Sequence, residues 1–375
     1  MGKITFSSNA YPSIGVELEL GLCHVETGAL SSSVQEVLGK LPPKMLDHVK
    51  PELMQCYVEI NTGVCKNVGE VEADLRSSVS KVESVCDDLG LKLWWGATHP
   101  TCHWQEQKVS PSQRYEDLVQ LLQDMARRLI TFGLHVHIGV DSGDKAVMIC
   151  DRIMQHLPTL LAISCSSPFW ERRDTGLESY RSKIMEGLPT AGLPTLMRNW
   201  SEYVWLINHL VDTGFINTIR EIWWDVRPHH GFGTVEVRVC DMPSSLDEVL
   251  ALTALIQSLV QYLSNEIDEG TYQHDCHPMM VRQNKWRACR FGRHANLVNS
   301  YTYKVNSVAD EVERLVSILG DTATDLACKD YLLTLPEIVK QPGGSERQRA
   351  LLEQHDGVLA AVVNEMTRES RLSPA

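Results

Sequence analysis

Near its beginning the chain has a segment in which apolar and charged residues alternate strictly. In the stretch SIGVELELG the apolar positions are Val16, Leu18 and Leu20. Glu17 and Glu19 occupy the positions between them. Because side chains alternate between the two faces of a β-strand, this period of two predicts a strand with one buried face. It also holds two carboxylates close together on the other face.

Two later segments repeat this alternation with different polar residues. In GLHVHIGV, His135 and His137 share one strand face, and in TVEVRVCD, Glu236 and Arg238 share a face opposite a row of valines. Either Glu236 and Arg238 form an ion pair on the sheet surface, or Glu236 is a metal ligand and Arg238 beside it binds an anion. The histidines are either a hydrogen-bonded pair or include one metal ligand, and the pattern does not say which of them that is.

The run ELMQCYVEINTGVC offers two further carboxylates, Glu52 and Glu59, and closes on the turn-forming residues Asn61, Thr62 and Gly63. Because the two glutamates are seven residues apart, an unbroken strand would place them on opposite faces. We therefore expect either a bend between them or only one of them in a site.

Apolar residues recur at helical spacing in the remaining long segments. The predicted helices cover about residues 68–89, 113–130, 144–163, 196–213, 245–268, 306–319 and 345–370. One apolar and one polar face per strand is typical of an antiparallel sheet that helices cover on one side, whereas a parallel sheet would show continuous apolar runs. The predicted fold class is therefore α+β. Because no low-complexity linker divides the sequence, we expect residues 1–375 to form one catalytic domain.

The composition is that of an ordinary globular protein, with 43% hydrophobic and 22% charged residues. The formal net charge of -13 argues against nucleic acid or an anionic membrane surface as the main partner. There is no apolar signal-peptide region and no run approaching the roughly 18 apolar residues of a membrane span, so we expect a cytoplasmic protein. The eleven cysteines contain no C-x-x-C pair, and we predict reduced, buried thiols.

Several familiar catalytic motifs are absent from the sequence: a P-loop, a G-x-G-x-x-G turn, an H-E-x-x-H helix and a G-x-S-x-G elbow. What remains is a set of acidic strand positions and two histidines, namely Glu17, Glu19, Glu52, Glu59, Glu236, His135 and His137. Carboxylates that converge must be compensated. Mg²⁺ or Mn²⁺ is the simplest compensation, because hard cations prefer oxygen ligands.

Arginines stand in dense clusters in this acidic chain. WERRDTGLESYRS contains Arg181, VRQNKWRACRFGRH contains Asn284 and Arg287, and Arg227 precedes a proline. Each arginine is either a solvated surface residue or a contact for a substrate carboxylate or a transferring phosphoryl group.

Six segments together resemble a known family: GVELEL, ELMQCYVEINTGVC, GLHVHIGV, SSPFWERRDTGLESYRS, WWDVRPHHGFGTVEVRVCD and QNKWRACRFG. In residues and order they are similar to the YbdK-like carboxylate–amine ligases of the glutamate-cysteine ligase type 2 family. These motifs run from about residue 11 to 294, and about 300 to 375 is generic helix. The resemblance implies the glutamine synthetase and glutamate-cysteine ligase superfamily fold, in which a curved antiparallel sheet holds ATP and divalent metals on its polar face.

The same resemblance implies a reaction and its residues. ATP phosphorylates a carboxylate, typically the γ-carboxylate of glutamate, and an amine such as cysteine attacks the acyl phosphate. The implied ligands of Mg²⁺ or Mn²⁺ are Glu17, Glu19, Glu52, Glu59, His135 and Glu236. Catalytic contacts are implied for Arg238, Arg181 and Arg227. Nucleotide contacts are implied for Arg238, Asn284 and Arg287.

Two other functions stay open on the same fold. One is a phosphotransferase that releases a stable phosphorylated product, and the other is a non-catalytic protein that binds ATP or a metabolite. We expect small-molecule partners, an amino acid and an amine, and neither nucleic acid nor membrane. Assembly into a homo-oligomer is left open.

Overall fold

The strands and helices below belong to the computed structural model of the chain, which describes residues 4–271, 277–299 and 302–373. Within these residues the strands β1 to β13 are Ile14–His24, Val49–Pro51, Tyr57–Asn61, Leu91–Trp94, Leu134–Gly139, Phe169–Trp170, Arg173–Asp174, Ala191–Gly192, Trp223–Trp224, Val226–His229, Thr234–Val237, Asn296–Val298 and Val305–Ser307. The helices α1 to α15 are Val34–Lys40, Val68–Asp88, Gln113–Leu122, Asp124–Arg127, Gly143–Ile153, Leu157–Ser164, Arg181–Met185, Trp200–Asp212, Leu246–Asp268, Pro278–Phe291, Val308–Asp325, Lys329–Leu332, Leu335–Lys340, Gly344–Gln354 and Leu359–Glu369.

Seven of these strands form one open sheet. Its order is β10-β11-β5-β1-β3-β2, and β4 pairs with the end of β1. Every pairing in this sheet is antiparallel. The predicted α+β fold with an antiparallel sheet is therefore confirmed.

The apolar face of the sheet is built from the alternate residues that the pattern assigns to it. Val16 pairs in register with Val136, and Leu18 pairs with Leu134. None of these four side chains is more than 1% exposed. Helices α2, α5 and α9 pack on this side of the sheet. Each fully buried side chain of this size contributes about 1.5–3 kcal/mol to folding, so the apolar face anchors the strands and leaves their other face to polar residues.

Two predicted helices are interrupted at residues with a positive φ. The segment 113–130 breaks at Gln123, whose φ of 51° cannot continue a helix, and it forms α3 and α4. The segment 345–370 breaks near Gly357, with a φ of 83°, and it forms α14 and α15. Both breaks are local backbone features that hydrophobic periodicity does not report.

Two apolar helical stretches lie in the core. Gly143–Ser164, which comprises α5 and α6, and Leu246–Asp268, which is α9, are long and apolar enough to cross a membrane by length and composition alone. The sequence predicts no membrane span, because that prediction counts only consecutive apolar residues. A hydropathy average over a window also accepts stretches that contain isolated polar residues. In the folded chain, 78% and 83% of the two apolar windows are buried. Core helices of soluble proteins meet the same criterion, so these stretches are weak evidence for a membrane span.

Candidate active site

A row of charged side chains runs across the polar face of the sheet on strands β10, β11, β5, β1 and β3. Glu17 on β1 lies opposite His135 on β5 and Asn61 on β3. Glu236 on β11 lies opposite His137 on β5. Because side chains directly opposite one another on neighbouring strands lie within contact distance, this register brings together residues that are more than two hundred positions apart in sequence.

Glu17 is the centre of the closest contacts in this row. Its Oε2 lies 3.1 Å from His135 Nδ1, and its Oε1 lies 3.4 Å from His137 Nε2. His137 Nδ1 lies 3.0 Å from Thr234 Oγ1. Ligand atoms of Glu17, His135 and Glu236 all lie within 4.8 Å of one another. The histidine of this group is therefore His135, while His137 Nε2 lies 3.4 Å from Glu17 Oε1 and 3.9 Å from Glu236 Oε1.

The two histidines have pKa values that move in opposite directions. Burial and the nearby Arg238 lower the pKa of His135 to about 4. Burial also opposes charge on His137, but Glu236 and Glu17 outweigh it and raise the pKa of His137. A metal-binding imidazole must be neutral. His135 meets that requirement near neutral pH, whereas His137 is suited to carry a positive charge between the two carboxylates.

Glu236 is only 1% exposed and is held by two arginines. Its Oε2 accepts a hydrogen bond from Arg227 Nε at 2.7 Å, and its Oε1 accepts one from Arg238 Nη1. Arg227 is itself fixed, because its Nη1 donates to the carbonyl of Ile222 at 2.5 Å. Although burial opposes ionisation, the two guanidinium groups hold the pKa of Glu236 well below its usual range. Glu236 is therefore an ionised carboxylate in a dry environment.

A second acidic group lies beside the first on the same face. Glu19 is in register with Glu59 on β3, and Glu52 follows the end of β2, which pairs antiparallel with β3. The chain turns between β2 and β3, so a bend does intervene between Glu52 and Glu59. Both then reach the same site, and Glu52 shares a hydrogen bond with Glu59.

The members of this second group retain protons unusually well. Burial raises the pKa of Glu19 to about 7, with a further contribution from Glu59. Burial and the neighbouring Glu59 raise the pKa of Glu52 well above its usual range. Burial and Glu17 raise the pKa of Glu59. Crowded carboxylates that keep protons are groups whose repulsion a divalent cation would relieve.

The donor chemistry of both groups fits hard divalent cations. Glu17, His135 and Glu236 offer carboxylate oxygens and one neutral imidazole, and the second group offers carboxylate oxygens alone. Oxygen-rich sets of this kind suit Mg²⁺ or Mn²⁺ more than Zn²⁺ or Cu⁺, which favour nitrogen and sulfur.

Two cavities flank the first acidic group, which consists of Glu17, His135 and Glu236. The larger has a volume of about 610 Å³ and is lined in part by Glu17, His137, Lys50, Val64 and Phe232. Val64 is 86% exposed and Phe232 is 61% exposed, so this cavity combines a charged floor with an apolar, open rim.

The smaller cavity has a volume of about 90 Å³. The titratable side chains that line it include Glu19, Glu52, Arg114, His135, Arg181 and Arg238. Because Glu17 lines the larger cavity and His135 lines the smaller one, their 3.1 Å contact lies at the boundary between the two.

Comparison with known proteins decides the family. The profile described as Glutamate-cysteine ligase family 2 matches residues 13–370. The chain belongs to the glutamate-cysteine ligase family 2. A provisionally named glutamate–cysteine ligase 2 from Gloeobacter violaceus is 42% identical over 363 residues, which cover 96% of this chain and 98% of that one. A provisionally named glutamate–cysteine ligase 2-1 from Frankia alni is 40% identical over 371 residues, covering 98% and 97% of the two chains. The resemblance noted in the sequence is confirmed.

Solved structures place this family 2 protein in a known fold. The glutamate–cysteine ligase from Francisella tularensis in complex with AMP superposes with a TM-score of 0.70 at 12% identity, over 97% of this chain and 90% of that one. A bifunctional glutathione synthetase from Pasteurella multocida gives a TM-score of 0.70 at 14% identity, over 96% of this chain and 52% of that one. At such identities the likeness establishes the fold alone, and it agrees with the predicted fold.

Three other predicted site residues of the family 2 protein form hydrogen bonds within the protein, either to the main chain or to a carboxylate. Arg227 donates to Glu236. It is not among the described residues that line either cavity. The Asn284 side chain exchanges hydrogen bonds with the main chain of Val298 at 2.8 and 2.9 Å. Arg287 Nε donates to the carbonyl of Asn296. Asn284 and Arg287 thus fasten α10 to β12, and their nucleotide contacts remain predictions.

The smaller cavity of the family 2 protein also contains residues that the sequence analysis missed. Tyr115 and Leu118 of α3 line it, and the Tyr115 hydroxyl faces Glu52. Trp223 lines the same cavity. The spacing of Tyr115 and Leu118 on one helix face was the available signal, but nothing local shows that this face lies over the carboxylates.

Proposed function

We propose that this protein is an ATP-dependent carboxylate–amine ligase that activates the γ-carboxylate of glutamate as an acyl phosphate and joins it to an amine such as cysteine. The observation that carries the proposal is the contact of Glu17 with His135 at the boundary of two cavities, with Glu236 close to both. A phosphoryl group must pass from one substrate to the other, and such a boundary lets both substrates approach one cation-binding group. Family membership and the fold shared with an AMP-bound ligase support this assignment.

The larger cavity is the place for the nucleotide. Its volume of about 610 Å³ lies within the range of cofactor pockets, whereas about 90 Å³ is too small for ATP. Phe232 and Val64 offer exposed apolar surface for a base, and Lys50 offers a positive charge for phosphates. The smaller cavity then takes the carboxylate and the amine.

Glu17, His135 and Glu236 would hold one Mg²⁺ or Mn²⁺ ion. Glu19, Glu52 and Glu59 would hold a second. Such ions neutralise charge on the phosphoryl oxygens during transfer. Glu236 stays ionised for this role because Arg227 and Arg238 bind it.

Arg238 is suited to contact the transferring group. It pairs with Glu236 in the first acidic group and also lines the smaller cavity. From there its guanidinium can bind the anionic oxygens of the acyl phosphate. This interaction strengthens as negative charge develops on those oxygens. In this chemistry the substrate carboxylate oxygen attacks the γ-phosphorus and ADP leaves. The amine nitrogen then attacks the acyl carbon, loses a proton and expels phosphate.

No covalent protein nucleophile is needed, and the cysteines are unsuited to that role. The ten cysteines within the described residues are all buried and free. Burial raises the pKa of Cys240 and of Cys289 to about 12. Because the thiolate is the nucleophile, these thiols are inert near neutral pH.

Cation binding is expected to depend on pH through the second acidic group. Between its ordinary pKa of 4.5 and its folded pKa of about 7, Glu19 keeps a proton in the folded state that the unfolded chain has released. Its contribution to stability is therefore full below pH 4.5 and is lost as the pH rises through 7. A cation binds the deprotonated carboxylates, so its stabilising effect should grow from about pH 6 to about pH 8.

Thermal unfolding with and without Mg²⁺ at the two pH values measures this effect. The Glu19→Gln variant is the control, because it removes one of the titrating protons and should flatten the dependence on pH. A cation-induced rise in Tm that is larger at low pH would contradict the assignment.

A screen of phosphate release tests the function directly. We expect purified protein with ATP and Mg²⁺ to release ADP and phosphate when both L-glutamate and a small amine are present. Mass spectrometry should then find an amide product whose mass equals the sum of the two substrates less one water. L-cysteine is the first amine to include, followed by other amino acids and simple primary amines.

The controls of this screen separate the other two functions. ADP release that depends on a carboxylate but not on any amine, with a stable phosphorylated product, would indicate a phosphotransferase. Nucleotide binding without turnover across the whole screen would indicate a binding protein. Absence of nucleotide binding in the presence of Mg²⁺ would overturn the proposal altogether.

A further inference from the structure

Asp241 is a buried carboxylate that none of the roles described so far uses. It has no exposed surface. Its Oδ2 accepts hydrogen bonds from the main-chain N–H of Ser166 at 3.1 Å and from the hydroxyl of Ser167 at 2.6 Å. Its Oδ1 accepts a hydrogen bond from the hydroxyl of Ser179 at 2.8 Å and lies 4.0 Å from Arg181 Nη1. Three donors thus fix the carboxylate, and its charge faces one cation.

Arg181, the first residue of α7, is tied to the same cluster. Its main-chain N–H donates to the Ser167 hydroxyl at 3.1 Å, so one serine holds both Asp241 and Arg181. Its guanidinium makes two long hydrogen bonds, from Nη1 to the carbonyl of Val239 at 3.4 Å and from Nη2 to the carbonyl of Arg238 at 3.3 Å.

The hydrogen-bonding capacity of Arg181 is only partly used. The side chain is 6% exposed, and its buried Nε has no hydrogen-bond partner. A guanidinium has five N–H donors, and leaving a buried donor unpaired is costly. Arg181 lines the smaller cavity, where its guanidinium can bind an anionic group of a substrate.

The main chain beside Arg181 is shaped to admit the guanidinium. A Cβ at Gly133 would overlap Arg181 Nη2 and would lie 2.9 Å from its Cζ. On its other side Gly133 donates its N–H to Glu19 Oε2 at 2.6 Å. The guanidinium therefore lies against a glycine of the sheet, with Asp241 behind it and the charge of Glu19 nearby.

We propose that Asp241 is a positioning residue that holds the Arg181 guanidinium at the smaller cavity, where Arg181 binds the carboxylate of the amino-acid substrate that does not react. The inference rests on the proposed function and deepens it. Arg238 pairs with Glu236 at the cation-binding group and serves the phosphoryl oxygens, whereas Arg181 has Asp241 as its acidic partner. An arginine held in a fixed orientation binds a carboxylate through two parallel hydrogen bonds, and that geometry is lost when its support is removed.

The Asp241→Asn variant tests this role, because asparagine keeps the size of the side chain and removes its charge. We expect the KM for L-glutamate to rise about 10- to 100-fold, as for misplacement of a substrate-positioning group. The KM for ATP should stay within about twofold of the wild-type value. Ser167→Ala is a milder second variant that loosens both partners, and it should shift the same KM by a smaller factor.

Two comparisons separate positioning from mere structural support. In Glu248→Gln the same chemical change removes a buried carboxylate that pairs with Arg293 at 2.6 Å and lines neither cavity. This control should unfold at a lower temperature and keep its KM for L-glutamate. In addition, Arg181→Lys combined with Asp241→Asn should raise that KM no further than Arg181→Lys alone, because both act through one group. Additive effects, or equal rises in both KM values, would overturn the proposal.

A crystal structure of Asp241→Asn makes the result independent of turnover. We expect the Arg181 guanidinium to leave the carbonyls of Arg238 and Val239. If it keeps those contacts, Asp241 does not position it and the inference fails. If instead the wild-type protein releases no phosphate with any substrate pair, the proposed function fails, while the structure still decides the role of Asp241.

Discussion

Replacing Glu236 with glutamine is expected to lower the rate of phosphate release by about 10³-fold or more, the scale on which charge-stabilising groups of phosphoryl transfer act. Two losses coincide in this variant. The first acidic group loses one of its three donors, and Arg227 and Arg238 lose the carboxylate that both of them bind. Arg238 is then free to move away from the smaller cavity. The variant therefore binds the cation less tightly and positions the arginine less well.

The same variant should also be less stable, because Glu236 is buried between two positive charges. Removing one partner of a buried ion pair costs about 3–5 kcal/mol. Thermal unfolding measures this loss, and steady-state phosphate release at a temperature where the variant is still folded measures the loss of activity. Glu248→Gln is the matched control, since it breaks a buried carboxylate–arginine pair away from both cavities. It should lose stability and keep its kcat. A Glu236→Gln variant that is folded and retains a kcat within about tenfold of the wild type would contradict the role of Glu236.

The strands that carry the site could be predicted because strand geometry dictates a period of two. Neighbouring side chains of a strand point to opposite faces, so Val16 and Leu18 face the core when Glu17 faces away from it. This local rule needs no knowledge of the rest of the fold. The register across strands is a different matter. Nothing in the alternation of either segment says that Glu17 lies opposite His135, 118 residues further along. The family resemblance supplied that association, and the pairing of β1 with β5 provides its physical basis.

Residues that act through tertiary contacts were the ones that the sequence could not identify. The sequence places Asp241 in a turn at a strand end but does not show its support, because Ser167 and Ser179, which donate to it, come from a different segment. Tyr115 lines the smaller cavity, and nothing local in the sequence shows that α3 reaches the carboxylates there. The motif of Asn284 predicts a nucleotide contact, but it does not report the hydrogen bond of this side chain to β12.

Removal of divalent cations should abolish phosphate release altogether, and Mg²⁺ or Mn²⁺ should restore it. The residues themselves give the reason: without a cation, burial and neighbouring carboxylates raise the pKa values of Glu19, Glu52 and Glu59, so this group resists full ionisation. Polyphosphate added to that face would increase the negative charge further. Arg238 is already paired with Glu236, so it cannot compensate for both the carboxylates and the phosphates.

Glu17→Gln distinguishes a cation held by the protein from one that arrives only as part of the nucleotide complex. Glu17 contacts both histidines and belongs to the first acidic group, so its loss should raise the cation concentration for half-maximal activity by at least about 10- to 100-fold, the loss seen when mere partners of metal ligands are removed. The matched control is Glu83→Gln, a buried carboxylate on α2 that accepts hydrogen bonds from the main chain of Leu372 and Ser373. That control should leave the cation dependence unchanged. An unchanged cation dependence in Glu17→Gln would mean that the first acidic group does not hold the ion, and the role of the site would then rest on its other charged residues, such as Arg238 and Arg181.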